Sequence, residues 1–80
     1  MLLEVLSPEK KIFGGDCSAI VLPGIDGKLE IRDRHAPLIA ALGEGEIKVS
    51  AAGAVQLIKI KNGFAEVLNN KVTILVENIQ

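Results

Sequence analysis

The sequence predicts an all-β fold, a small β-sandwich or flattened barrel of about eight to ten short strands. Ten Ile and seven Val residues dominate the chain, and β-branched side chains suit the pleated surface of a sheet. Eight Gly and three Pro recur between the apolar runs, at turn spacings of roughly 6 to 12 residues that are typical of small all-β domains. Only residues 40–42, Ala-Ala-Leu, favour a helix, and that segment is too short to form one alone.

The predicted strands of the first half cover residues 2–6, 11–13, 16–22 and 28–31. The first strand ends at Ser7-Pro8 because proline removes a hydrogen-bond donor. Residues 19–22 are apolar enough to be buried on both faces. The cluster Pro-Gly-Ile-Asp-Gly at 23–27 predicts a tight, exposed turn. Leu29 and Ile31 alternate with charged residues, which predicts a half-buried strand.

The predicted strands of the second half cover residues 46–51, 55–61, 64–68 and 71–77. The loop 33–37 interrupts the chain before them, and further turns are predicted at 43–45 and 52–54. Asn62-Gly63 is the dipeptide favoured in type I′ turns, so it predicts a hairpin. Asn69-Asn70 predicts a second hairpin tip.

The composition indicates one domain spanning residues 1–80, without the charge of a nucleic-acid binder. Nine basic and ten acidic side chains leave a net charge of −1, so neither nucleic acid nor an anionic lipid surface is an expected partner. Aliphatic side chains must fill the core because Phe13 and Phe64 are the only aromatic residues. The longest uncharged apolar stretch, 36–42, is far shorter than the roughly 20 residues that cross a bilayer, so no direct membrane insertion is expected.

The chain offers few side chains for catalysis or for metal binding. One His and one Cys cannot provide the four nitrogen or sulfur ligands of structural zinc, and a single Cys17 favours a reducing compartment. Asp33 and His35 supply at most a base and its orienting group, without a nucleophile elbow. The glycine clusters lack the spacing of phosphate loops or dinucleotide fingerprints. We therefore expect no cofactor, a His35 that hydrogen-bonds the backbone, and a Cys17 that is simply packed.

Seven motifs occur in order along the chain. They are Ser7-Pro8-Glu9, Phe13-Gly14-Gly15, Leu22-Pro23-Gly24, Gly27-Lys28-Leu29-Glu30-Ile31, His35-Ala36-Pro37-Leu38-Ile39, Gly63-Phe64-Ala65-Glu66-Val67, and Asn70 with Val72-Thr73-Ile74-Leu75. Together they resemble the epsilon subunit of bacterial and plastid F-type ATP synthases across nearly all of the sequence. The chain departs from the family's common residues at Lys28, Glu30 and Asp33-Arg34.

The resemblance implies a non-catalytic rotor subunit, a β-sandwich at the foot of the central stalk that contacts the gamma subunit and the c ring. By position in the motifs, the turn Asp26, Gly27 and Lys28 is expected to contact the c ring. Ser7 and the segment His35, Ala36, Pro37 and Leu38 are expected to contact gamma. Two simpler interpretations stay open, an ordinary solvated lysine at position 28 and closure of the core by Pro37 and Leu38. The expected location is peripheral, on the cytoplasmic face of the bacterial inner membrane.

Relatives in this family usually continue into a C-terminal pair of helices, whereas the sequence stops at Gln80. The expectation is therefore a β domain alone, without the helices that inhibit rotation in some relatives.

A lipoyl or biotinyl carrier domain is the alternative function. Such domains are also all-β and about this size, and they need an exposed lysine at a hairpin tip. Lys71 after Asn69-Asn70 and Lys28 after Asp26-Gly27 are the candidates. Neither has the Met, Asp or Ala neighbours that carrier domains present to their ligases.

Overall fold

The computed structural model describes the backbone of residues 1–79 and the side chains of residues 1–77. Residues 1–79 form eight β-strands and no helix, which confirms the predicted all-β class. The strands are β1 (Leu2–Leu6), β2 (Lys11–Asp16), β3 (Ala19–Gly24), β4 (Gly27–Arg32), β5 (Leu38–Leu42), β6 (Gly45–Ala51), β7 (Ala54–Leu68) and β8 (Lys71–Ile79).

Strand β7 joins two layers because it pairs with different neighbours along its length. Its first part pairs with β6, and its last part lies between β5 and β8. One layer, which we call sheet I, therefore has the order β2-β1-β8-β7-β5, and the other, sheet II, has the order β4-β3-β6-β7. The pairing of β1 with β8 is parallel, and the other described strand pairs are antiparallel.

The two layers enclose an aliphatic core, as the scarcity of aromatic residues predicts. Its fully buried side chains include Leu3, Val5, Ile20, Leu22, Ile31, Leu42, Ile47, Val49, Ile60, Val67, Val72 and Ile74. Along most strands the buried residues alternate with outward-facing neighbours, whereas in β3 the consecutive Ala19 and Ile20 are both buried. Burial of one Leu, Ile or Val contributes about 1.5–3 kcal/mol, so many such contacts are needed to offset the entropy of ordering the chain.

The predicted hairpin at Asn62-Gly63 is wrong, because β7 continues through this dipeptide. The segments on either side pair with β6, β5 and β8 and not with each other. The register to β8 shifts on both sides of Asn62, which marks a β-bulge. A Cβ atom on Gly63 would lie 2.5 Å from the Leu75 carbonyl oxygen. Glycine is therefore needed here for close backbone approach and not for a turn.

The other hairpin predictions are confirmed. Asn69 and Asn70 have φ values of 52° and 57°, the left-handed conformation that type I′ turns require. Residues 25–26 form the tip of the β3–β4 turn, because Gly24 already pairs with Gly27. Three segments differ from prediction. Strand β2 continues through Gly14 and Gly15 to Asp16, β3 covers Ala19–Gly24 instead of residues 16–22, and β5 (Leu38–Leu42) is a strand where none was predicted. Pairing with β1 and with β7 decides β2 and β5, against the local preferences of these segments.

Candidate functional site

A groove separates the β3–β4 turn from strand β5. It has a volume of about 340 Å³ and is lined by residues 24–29 and 38–41. Asp26, Gly27 and Lys28, the predicted c-ring contacts, form one wall, and Leu38, a predicted gamma contact, belongs to the other. Ile25 and Ile39 border it with exposed fractions of 66% and 75%. The fold thus brings parts of both predicted contact sets to one apolar groove.

Two backbone hydrogen bonds close one end of this groove. The Ile25 N–H donates to the Ala41 carbonyl oxygen at 3.0 Å, and the Gly43 N–H donates to the Pro23 carbonyl oxygen at 2.8 Å. The register between β3 and β5 consists of a single pair, Gly24 with Leu42. The rest of β5 therefore diverges from β3, and this leaves the groove open.

The loop 33–37, which carries predicted gamma contacts, is held in place at its beginning. The Asp33 carboxylate accepts a 2.6 Å hydrogen bond from the Met1 ammonium group. The Arg34 N–H donates to Asn70 Oδ1 at 2.8 Å, with φ of 63° at Arg34. His35 Nδ1 lies 2.7 Å from the Ala36 carbonyl oxygen, so Nδ1 carries the proton and donates it. This confirms the predicted backbone role of His35.

The Met1 ammonium group brings three distant segments together. Besides Asp33 it contacts Asp16 Oδ1 at 3.2 Å and donates to the Cys17 carbonyl oxygen at 3.2 Å. The hydrogen bond from the ammonium group lowers the pKa of the Asp33 carboxyl, and the same bond raises the pKa of the ammonium group above its usual 8.0. Sequence reasoning missed this cluster because residues 1, 16 and 33 share no motif or spacing.

Ser7 lies at the other end of sheet I from the loop 33–37. It closes the β1–β2 turn, where its N–H donates to the Lys10 carbonyl oxygen at 2.9 Å. In sheet I, Leu6 pairs with Leu75 of β8. Leu38 is aligned with Val72 of β8, because both residues pair with Val67 of β7. Ser7 and Pro37 are therefore about five residue steps apart along the strands, or roughly 16 Å. They do not form one compact patch.

The outer face of sheet I carries an apolar row that the sequence analysis did not predict. The row crosses β1, β8, β7 and β5 through Leu6, Leu75, Phe64 and Ala41. Leu75 and Phe64 are 53% and 54% exposed. Exposed apolar side chains gathered in this way commonly mark an interaction surface. The sequence carried a signal for this row. Residues two positions apart in a strand lie on the same face, so Phe64 lies on the face of the polar Glu66, and Leu75 lies on the face of the polar Thr73.

One end of this row meets Ser7. A groove of about 270 Å³ there is lined by Leu6, Ser7, Pro8, Phe64, Leu75, Val76 and Glu77. Ser7 thus borders the apolar row at one end. The predicted contact Leu38, at the start of β5, instead packs partly buried against the core.

The remaining candidate groups have structural roles. Cys17 is 4% exposed and packs in the core as expected, and burial raises the pKa of its thiol. Lys71 Nζ lies 3.8 Å from Glu4 Oε1. Among the described residues, His, Cys, Asp and Glu form no group of three or more that could hold a metal ion. The described part of the chain also contains no helix long and apolar enough to cross a membrane.

Comparison with known proteins gives the family. The model of the β-sandwich domain of ATP synthase delta and epsilon chains matches residues 1–80. The chain belongs to this family. Its members named epsilon chain are non-catalytic subunits. The family match over residues 1–80 excludes the carrier-domain alternative. The chain is thus a homologue of ATP synthase epsilon chains, and it has the β-sandwich of that family.

Individual relatives show the extent of the similarity. The ATP synthase epsilon chain of Pelotomaculum thermopropionicum is 40% identical over 73 residues, which cover 91% of this chain and 54% of that one. The epsilon chain of Chlorobium limicola is 36% identical over 78 residues, covering 96% of this chain and 89% of that one. With coverages of 54% and 58%, the chain spans little more than half the length of the epsilon chains of Pelotomaculum thermopropionicum and a Synechococcus strain.

Solved structures share the fold at lower identity. A chain in the central stalk and c-ring structure of Tetrahymena thermophila mitochondrial ATP synthase superposes with a TM-score of 0.86 at 19% identity, covering 99% of this chain and 64% of that one. A chain of the Euglena gracilis mitochondrial ATP synthase gives a TM-score of 0.87 at 22% identity, covering 92% and 48%.

Proposed function

We propose that this chain couples the gamma subunit to the membrane-embedded c ring in the rotor of a proton-translocating ATP synthase, and that it performs no chemistry itself. The observation that carries the proposal is the family match over residues 1–80. The Tetrahymena neighbour of the same fold comes from a structure of a central stalk and c ring. The proposed location is peripheral, at the cytoplasmic face of a bacterial inner membrane.

The β3–β4 turn is the proposed c-ring contact. Asp26, Gly27 and Lys28 are exposed, and their backbone is held by the pairing of Gly24 with Gly27. A rigid polar tip suits docking against polar loops, because little conformational entropy is lost when it binds.

The outer face of sheet I is the proposed gamma contact. Ser7 and the segment His35 to Leu38 lie at opposite ends of this sheet, and the apolar row lies between them. A partner that touches both ends therefore covers the exposed Phe64 and Leu75 side chains. Apolar side chains buried at the centre of such a contact supply most of its affinity.

The proposal also concerns inhibition of the enzyme. The described part of the chain consists of paired strands and turns. We propose that a polypeptide of this sequence lacks the inhibition that the C-terminal helices of some relatives provide.

Serine substitutions at two matched pairs of exposed apolar residues on β7 and β8 test the gamma contact. The variant Phe64→Ser with Leu75→Ser changes the outer face of sheet I, and Val55→Ser with Leu57→Ser changes that of sheet II. The four side chains are similarly exposed, at 54%, 53%, 58% and 55% respectively, so both variants should fold. We expect the first variant to bind the gamma subunit at least tenfold more weakly by calorimetry and the second to bind normally.

Reconstitution tests the coupling itself. Adding the wild-type polypeptide to an ATP synthase depleted of its epsilon subunit should restore ATP-driven proton pumping in vesicles. If the wild-type chain binds neither gamma nor the depleted enzyme, the proposed function is wrong.

A further inference from the structure

Strand β5 has an unpaired edge without charged residues. Exposed strand edges are ready to pair with another chain, and proteins commonly protect them with charges. The outer edge of β4 carries Lys28, Glu30 and Arg32. Strand β5 reads Leu-Ile-Ala-Ala-Leu, and it pairs with β3 at its last residue, Leu42. Its edge toward the groove thus lacks the protection that β4 has.

The hydrogen bonds of β5 show which of its groups face the groove. The Ala41 carbonyl oxygen accepts from Ile25, so the backbone groups of Ala41 point away from β7. Because these directions alternate along an antiparallel strand, both Ile39 groups point the same way as those of Ala41. Leu38, Ala40 and Leu42 then form the hydrogen bonds to β7. The Ile39 N–H, the Ile39 carbonyl and the Ala41 N–H are therefore available in the groove.

The groove walls favour an apolar occupant. Opposite β5 lie Ile25 and the partly buried Leu29. The four residues from Leu38 to Ala41 span roughly 13 Å in an extended strand. An added segment of about three or four residues would use the free backbone groups and cover the exposed Ile25 and Ile39 side chains. This is the arrangement of strand addition, in which backbone bonds give affinity and side-chain pockets give specificity.

We propose that an extended, uncharged segment of the gamma subunit adds to β5 as a strand in this groove, an inference that rests on the proposed function. The groove begins at Leu38, the residue that directly follows the loop 33–37 in the chain, and Leu38 belongs to both the predicted gamma segment and the groove wall. Polar loops of the c ring fit an apolar groove poorly. A second copy fits poorly too, because each β5 edge faces its own β3–β4 turn across the groove, and a second folded β5 would have to enter with its own turn attached.

Proline at position 39 provides the sharpest test. Ile39→Pro removes the N–H that faces the groove and leaves the hydrogen bonds between β5 and β7 intact, which is how proline is tolerated on an edge strand. Ile39→Ala is the matched control, since it removes the same side chain and keeps the N–H. We expect Ile39→Pro to bind the gamma subunit at least tenfold more weakly than Ile39→Ala in calorimetric titration. Circular dichroism and thermal unfolding establish that both variants fold.

Amide hydrogen exchange of the wild-type chain tests the same contact without a variant. On binding gamma, exchange at Ile39 and Ala41 should slow at least tenfold, whereas exchange at Glu30 on the β4 edge should not change. Strand addition would be overturned if the two variants bind gamma equally well and if exchange at Ile39 and Ala41 does not change in the complex with gamma. That outcome would leave the proposed function intact. Absence of any gamma binding would overturn both. Protection of Ile39 that grows with the concentration of the chain alone would identify a second copy as the occupant and overturn the gamma assignment.

Discussion

Asp33 illustrates how one side chain joins parts of the chain that are far apart in sequence. Its carboxylate binds the Met1 ammonium group, and the next residue, Arg34, binds Asn70 through its N–H. These contacts fix the beginning of the loop that carries His35 and Pro37. Asp33 is therefore a positioning residue for this loop, although its side chain is 62% exposed.

Replacement of Asp33 by Asn should make stability less dependent on pH. The carboxyl pKa is lowered in the folded state, so its stabilisation is present above the unfolded value of about 3.9 and is lost as pH falls through the lower folded value. The pKa of the Met1 ammonium group is raised in the folded state. The stabilisation from this group is therefore present below about pH 8 and is lost as pH rises through the higher folded pKa. In the polypeptide that begins with Met1, Asp33→Asn should lower the urea midpoint at pH 6, and the difference from wild type should shrink at pH 2.5 and pH 10. Asp26→Asn is the control, and an equal effect of both substitutions would contradict this role.

Lys28 is the residue through which the proposed c-ring contact can be tested. Replacing Lys28 by Glu should weaken assembly with the c ring mainly at low ionic strength, because salt screens exposed charges. The expected loss is about 1.4- to fivefold in affinity, corresponding to the roughly 0.2–1 kcal/mol of an exposed ion pair. Lys61→Glu makes the same charge change at another exposed lysine, on β7. If the two variants assemble equally well at every salt concentration, Lys28 is an ordinary solvated residue.

At the scale of elements, β7 determines the architecture. Its fifteen residues pair with β6, β5 and β8, and the bulge at Asn62 lies between the parts that belong to the two sheets. A bulge increases the local twist and bends a strand. The strand can therefore contribute to both layers of the sandwich without a turn.

Gly63→Ala should destabilise the chain by about 1–3 kcal/mol, the usual cost of overpacking. The added methyl group would meet the Leu75 carbonyl at 2.5 Å and the Val76 Cα at 3.3 Å. In Gly43→Ala, the new methyl group would lie 3.7 Å from Ile25 Cγ1, an ordinary van der Waals contact. We expect this control to change stability by less than about 0.5 kcal/mol. Urea unfolding of both variants measures the difference, and equal midpoints would show that the bulge can open without cost.

For the whole molecule, the paired strands limit what the chain can do. The radius of gyration is 11.2 Å. Residues 1–79 contain no helix that could extend along a stalk. Releasing strands from the sandwich would cost an amount comparable with the whole stability, about 5–15 kcal/mol. The molecule should therefore act as a rigid coupling element.

A polypeptide of these eighty residues should not inhibit ATP hydrolysis. Added in excess to an ATP synthase depleted of its epsilon subunit, it should leave the rate of ATP hydrolysis unchanged within twofold while it restores proton pumping. The rate of the depleted enzyme without added polypeptide is the reference. A several-fold decrease on addition would mean that the sandwich itself inhibits.

Local patterns in the sequence were sufficient for most of the fold. The alternation around Leu29 and Ile31, the Asn69-Asn70 tip and the aliphatic composition predicted strands, a turn and a core that the structure confirms. These features depend on the preferences of neighbouring residues, and such preferences are readable in a single chain. The ordered motifs also pointed to the family that the comparison shows.

Pairing between distant strands decided the rest. Asn62-Gly63 has the local chemistry of a hairpin, yet strands β5, β6 and β8 hold it inside β7. The apolar row on sheet I depends on the register of four strands, and the Met1 cluster depends on loops that meet at one end of the sheet. The groove beside β5 exists because β3 and β5 share only one pair. The local sequence determined which segments form strands, whereas contacts between segments far apart in the chain decided which edges and faces remain open to a partner.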